Sequence, residues 1–149
     1  MQNEKMTFLS KSETETTKIA YNFAANLTGG DIVALYGDLG SGKTVFTKGL
    51  AKYFGIKETV ASPTFVTMKC YETAENTKKA NIFMHADCYR LKSIADANSV
   101  GLSDFLGAPD TISIVEWPEK IKKKLPNNII KIGFDHVDET TRKIFIDKV

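Results

Sequence analysis

Arginine is scarce in this chain: Arg90 and Arg142 are the only two in 149 residues. An arginine-rich lid closing over phosphates, the usual equipment of a small-molecule kinase, cannot be assembled from so few. Cysteine is nearly as rare. Cys70 and Cys88 are too far apart for a C-x-x-C pair and have no His/Cys cluster beside them, so they read as free thiols and not as a zinc site or redox pair. No apolar stretch reaches the length of a membrane span, and Met1 to Ser10 lacks the apolar core of a secretory signal, so a cytoplasmic location without a membrane partner is expected. A strong charge excess is missing too. The formal charge of +2 argues against a concentrated basic patch of the kind that duplex recognition needs, so any RNA contact is expected to be weak or shared. Repeats, low-complexity segments and linkers are absent. What remains, 42% hydrophobic and 26% charged residues, is ordinary for a globular protein, and residues 1–149 read as one domain with one substantial core.

Against that plain background one stretch stands out. Gly37-Asp38-Leu39-Gly40-Ser41-Gly42-Lys43-Thr44 fits G-x-x-x-x-G-K-[ST] at every fixed position, the pattern of a phosphate-binding loop. Its glycines let backbone N–H groups approach an anion without a side chain in between. Lys43 would bring a point charge to the β- and γ-phosphates and the Thr44 hydroxyl would ligate Mg²⁺, while the helix that starts here aims unpaired N–H groups at the charge. A random chain of this length matches the pattern roughly once in a few hundred cases. Its context supports the match: Ile32 to Tyr36 is a continuous apolar run suited to a strand buried on both faces, and Val45 to Phe54 can form a helix ended by Gly55. The dinucleotide pattern G-x-G-x-x-G fails, because Val45 stands where the third small residue should pack.

Along the chain, Ser12 to Glu15 has the form of a capping box, followed by Ile19, Phe23 and Leu27 at helical spacing, with Gly29-Gly30-Asp31 ending the helix. Ser62-Pro63-Thr64-Phe65 is either a segment that senses the γ-phosphate or an ordinary proline turn. Val66 to Tyr71 and Ala80 to Ala86 read as strands whose short connection forces an antiparallel hairpin. The second of them delivers Asp87, and Thr111 to Val115 delivers Glu116, so two apolar strands each present one carboxylate where ligands gather in such sheets. His85 reads as packed and hydrogen-bonded, not as a metal ligand. Ser93 to Leu106 reads as short helices broken at Gly101, Trp117 as core or a cover for the site, and Glu119 to Leu125 as a short helix whose lysines form a solvated face. Ile130, Ile132 and Phe134, a turn at Asp138 to Thr141, and Ile144 and Ile146 predict a closing hairpin.

The residues alone therefore describe a small Mg²⁺-dependent nucleotide triphosphatase. With Ser62-Pro63-Thr64-Phe65, His85-Ala86-Asp87-Cys88-Tyr89-Arg90 and Glu116-Trp117-Pro118-Glu119 following the loop in that order, nearly the whole chain resembles the TsaE (YjeE) family. The departures are small: the family commonly has Ala at Ser41, Phe at Ala86 and Leu at Cys88. The resemblance implies an α/β fold, a phosphate-loop NTPase-like three-layer sandwich with a mixed, mostly parallel sheet carrying antiparallel hairpins. It implies an ATPase that supports formation of the threonylcarbamoyl group on the adenosine beside the anticodon of tRNAs reading codons that begin with A. TsaD and TsaB are the implied partners, with tRNA met indirectly through their complex.

ATP or ADP and Mg²⁺ are the expected cofactors. Lys43, Asp87 and Glu116 are the expected catalytic groups, and Thr44, Glu116 and Asp87 the expected metal shell, with Asp87 either a ligand or an orienter of the attacking water. Asp38, Leu39, Gly40, Ser41, Gly42, Lys43, Thr44 and Val45 are expected to hold the phosphates. Glu13 and Arg142 are candidates for closing over the rest of the nucleotide. Neither arginine follows from a nucleotide motif, so hydrolysis by the isolated chain is expected to be slow. Three alternatives remain: a nucleotide-gated binding module without significant hydrolysis, a small-molecule kinase, and direct tRNA binding through Lys122 to Lys124.

Overall fold

Ile32, Val33, Ala34 and Leu35 are apolar at consecutive positions because the strand they form is covered on both sides. In the computed structural model, which describes residues 4–61, 68–74 and 79–148, the elements run β1 (Glu4–Ser10), α1 (Glu13–Ala24), β2 (Ile32–Tyr36), α2 (Lys43–Tyr53), β3 (Met68–Glu72), β4 (Ile82–Asp87), α3 (Ile94–Ser99), α4 (Leu102–Phe105), β5 (Thr111–Glu116), a 3-10 helix (Pro118–Lys124), β6 (Ile130–His136) and β7 (Arg142–Lys148). The strands form a seven-stranded sheet in the order β1-β7-β6-β2-β5-β4-β3. Its centre, β6, β2, β5 and β4, pairs in parallel. The β3–β4 and β6–β7 pairs are antiparallel, and β1 closes one edge antiparallel to β7, so that β1 shares the direction of the central strands.

Alternate residues of β2 serve two different cores. Val33 and Leu35 join Phe23, Phe46, Leu50 and Phe54 of α1 and α2 and their ends, whereas Ile32 and Ala34 join Ala97, Leu102 and Ile121 on the opposite face. That is the expected three-layer α/β sandwich. The α1–α2 layer is tight. A Cβ at Gly49 would fall 2.6 Å from both the Ala20 Cβ and the Thr17 carbonyl oxygen, so glycine is what lets the two helices touch. Phe46 then packs edge-on against Phe134 of β6, with 5.5 Å between ring centroids, which clamps α2 and the loop before it onto the sheet.

Several boundaries differ from the sequence reading. Helix α1 stops at Ala24, and Leu27 reaches the core from the turn beyond it, where Asn26 and Leu27 make i to i−3 backbone bonds. In the capping box Glu15 N–H donates to Ser12 Oγ at 3.1 Å, but the returning bond lands one residue early, from Lys11 N–H to Glu15 Oε2 at 2.7 Å. Helix α2 begins at Lys43 and ends at Tyr53, with Phe54 as its cap. Asp87 is the last residue of β4 and does not lie past its end. Glu119 to Leu125 is no α-helix. Pro118 starts a 3-10 turn there, kinked at Ile121, and Trp117 enters it in the left-handed region at φ 56°. Gly101 does separate α3 from α4. Strand β1 has no counterpart in the sequence reading. Ser62 to Phe65, with the proposed γ-phosphate sensor, lies outside the described residues, as do Val66 and Thr67. No helix among the described residues is long and apolar enough to cross a membrane.

Candidate functional site

The loop after β2 opens at the carboxyl end of the parallel strands, and its conformation follows from its glycines. Gly42 caps α2 at φ 106°, in the left-handed region, and contributes no side chain to the cap. Among the described residues the first-turn N–H groups of this eleven-residue helix therefore have no side-chain cap, an arrangement suited to an anion. Beneath the loop, Ser41 Oγ is buried and has no hydrogen-bond partner among the described residues. Lys43 is buried as well, and its ammonium donates to the Gly37 carbonyl and lies 3.7 Å above the centre of the Trp117 ring. Burial pushes its pKa below the ordinary lysine value, opposed by the nearby carboxylates of Glu116, Glu119, Asp87 and Asp38.

Strands β4 and β5 bring their terminal acids side by side, since Asp87 and Glu116 are register partners. Glu116 is 3% exposed. Its Oε2 meets Nε2 of the fully buried His85 at 2.5 Å, and the Thr44 hydroxyl faces Oε1 and Oε2 at 3.3 and 3.4 Å. Those last two contacts are long for a hydroxyl donor and exchange readily for a harder partner. Asp87 is half-buried, with Oδ1 accepting from Tyr89 N–H at 3.0 Å. Cys88 follows it, buried, and its N–H donates to the Glu116 carbonyl at 3.0 Å. Burial, reinforced by Asp87, Glu116 and Glu119, pushes its thiol up to about 12.

These groups share a cavity of about 480 Å³, within the ordinary range for small-molecule clefts. Leu39, Gly40, Ser41, Gly42, Lys43, Thr44, Val45, Asp87, Glu116, Glu13 and Arg142 all line it. Asp38 does not; it stands at the loop's entrance, where its carbonyl accepts from Ser41 N–H at 3.1 Å. The cavity also includes Lys11, Ser12, Thr16, Glu139 and Thr140, which the sequence reading missed. In the sequence Ser12 reads only as a cap, and the hairpin turn only as a connection. Strand β1 explains how the first group arrives: Ser10 Oγ is buried against Thr16 Oγ1 at 2.7 Å and donates to the Ser12 carbonyl, which fixes the start of α1 beside the loop. Arg142 ties the opposite wall down by donating to the carbonyls of Asp138, Glu139, Thr141 and Gly40.

The donor set suits a magnesium-bound polyphosphate better than a bare anion. Three cations, Lys11, Lys43 and Arg142, face four carboxylates, Glu13, Asp87, Glu116 and Glu139, so a bare triphosphate would meet excess negative charge. Among the described residues no three His, Cys, Asp or Glu side chains converge on a metal-sized site. A hydroxyl and one or two carboxylates are instead the kind of incomplete oxygen set that Mg²⁺ accepts when phosphate and water supply the rest.

Comparison with known proteins gives concordant results. The family described as "Threonylcarbamoyl adenosine biosynthesis protein TsaE" matches residues 10–144. A tRNA threonylcarbamoyladenosine biosynthesis protein TsaE from Rickettsia bellii is 39% identical over 132 residues, covering 88% of this chain and 87% of the relative. The protein of that name from Bacillus subtilis is 35% identical over 130 residues, covering 87% and 77%. The crystal structure of YdiB from Bacillus subtilis superposes with a TM-score of 0.79 at 29% identity, covering all of this chain and 88% of that one.

Proposed function

This chain belongs to the TsaE family, whose members serve tRNA threonylcarbamoyladenosine biosynthesis, and from that membership we propose that it is a Mg²⁺-dependent ATPase hydrolysing ATP to ADP and phosphate. In this reading it works with TsaD and TsaB in forming the threonylcarbamoyl group on the adenosine beside the anticodon, and meets tRNA through that complex. The observation that carries the reading is the convergence of Thr44 and the buried Glu116 beside Lys43, at the uncapped start of α2.

Each residue then has a task. The α2 amides and the Lys43 ammonium hold the β- and γ-phosphates, while Thr44 and Glu116 hold the metal. Asp87, less buried and at the neighbouring strand end, orients the attacking water or joins the metal shell. Mg²⁺ supplies neutralisation of the charge spreading over the γ-phosphoryl oxygens. Glu13 and Arg142, which line the same cavity, are assigned to the nucleoside.

Hydrolysis by the isolated chain is slow in this account, because Arg142 is committed to backbone carbonyls and Arg90 lies outside the cavity lining. A partner-supplied arginine can raise turnover by about 10³ to 10⁵. ATP turnover measured with and without TsaD and TsaB tests this. Slow turnover alone and acceleration by the partners are expected, and rapid turnover alone that the partners leave unchanged would reject the reading.

A further inference from the structure

Lys43 and Glu116 are opposite charges buried in one cavity, yet no ion pair joins them among the described residues. Each has other partners. The Lys43 ammonium rests on the Gly37 carbonyl and the Trp117 ring, and the Glu116 carboxylate on His85 and Thr44. Of these contacts the shortest to Glu116 is His85 Nε2, at 2.5 Å. Its geometry comes from the sheet: His85 is in register with Ile114, so its ring reaches diagonally to the residue two further along β5, on the same face. His85 is completely buried and its Nδ1 has no partner among the described residues. A proton on Nδ1 would be an orphaned donor in the interior, whereas a bare Nδ1 leaves only a lone pair unmet, which proteins tolerate better. The ring is therefore an Nε2–H donor aimed at Glu116 Oε2.

We propose that His85 is a positioning residue that holds the Glu116 carboxylate away from Lys43 and so keeps the lysine ammonium available to phosphate, independently of any metal. This rests on the reading of the cavity as a nucleotide site. A side chain at 85 that cannot donate releases Glu116 to swing onto the neighbouring ammonium. The pair then competes with phosphate for Lys43, and affinity falls for a reason that removing Glu116's charge should cure.

ADP binding measured by calorimetry in excess EDTA, on the full chain, separates the outcomes. His85→Leu is expected to bind about tenfold more weakly than wild type, a change of about 1.4 kcal/mol. His85→Gln, whose amide can donate to the same oxygen, should stay within about twofold of wild type. The double variant His85→Leu/Glu116→Gln should match Glu116→Gln within about twofold, because no carboxylate remains to capture Lys43. Undiminished binding by His85→Leu, or a double variant as weak as His85→Leu, overturns the role of His85. Failure of wild type to bind ADP in EDTA overturns the metal-independent role given to His85, and failure to bind ADP when Mg²⁺ replaces the EDTA overturns the nucleotide reading itself. If His85→Leu does not fold, the ring ¹⁵N shifts of wild type decide: a pyrrole-type Nε2 supports the proposal and a pyridine-type Nε2 overturns it.

Discussion

The ends of β4 and β5 look alike in sequence and differ in surroundings. Each is an apolar strand closing on one acid, and the acids are register partners. Glu116 is buried against His85 and Thr44, whereas Asp87 is half-buried and accepts from the backbone of the turn that follows. Burial and partner decide what a carboxylate does: one fixed beside a hydroxyl is suited to holding a cation, and one open to more solvent is suited to handling water. Similar strand endings therefore do not imply interchangeable acids.

Neutralising the two acids separately breaks this comparison most directly. Glu116→Gln is expected to lower ATP turnover by about 10² to 10³ while nucleotide affinity changes only a few-fold, since the acid acts chiefly on charge developed in the transition state. Asp87→Asn should cost less, about 10- to 100-fold in turnover, as befits a water-orienting group. Parallel turnover and binding measurements on both variants check this. A larger loss for Asp87→Asn would reverse the assignment, and wild-type turnover in Glu116→Gln would remove that residue from the site.

The joint between the two strand ends offers a smaller effect. Cys88 donates its N–H to the Glu116 carbonyl, and its thiol is pushed from the ordinary 9.0 up to about 12. Below pH about 9 the thiol is protonated in folded and unfolded chains alike, so its contribution to stability is fully present. Above that the unfolded chain loses its proton while the folded chain keeps it, and the contribution drains away until the folded thiol titrates near 12. Cys88→Ala should therefore be less stable than wild type at pH 7, by about 1 kcal/mol for the lost buried sulfur, with the gap narrowing above pH 9. Denaturant melts at pH 7 to 10 read this. A gap that stays constant would place Cys88 in a more polar setting than the structure does.

The same contrast between local and distant causes explains what was legible in the sequence. The phosphate loop, β2, β5 and the β3–β4 and β6–β7 hairpins were readable because backbone chemistry and apolar period are written in consecutive residues. Strand β1 was not. Its inward positions are Met6, Phe8 and Ser10, and Leu9 faces solvent at 60% exposure, so its alternation reverses at the end where Ser10 is needed to hold Thr16. Its partner β7 lies at the other end of the chain. For the site, the loop and both acids were legible as residue types. Lys11, Ser12, Thr16, Glu139 and Thr140 join the cavity only through the β1–β7 pairing and the Arg142 contacts, which no local pattern announces. His85 was readable as a packed, hydrogen-bonded histidine, but its partner Glu116 is set by strand order.

The account's central claim is that the loop before α2 grips nucleotide phosphates through Lys43. Calorimetric titration of the purified chain with ATP and Mg²⁺, beside Lys43→Ala, tests it most directly. A saturable one-site isotherm that Lys43→Ala weakens by at least about tenfold is predicted. A wild-type chain that does not bind, or a Lys43→Ala variant that binds equally well, would contradict it.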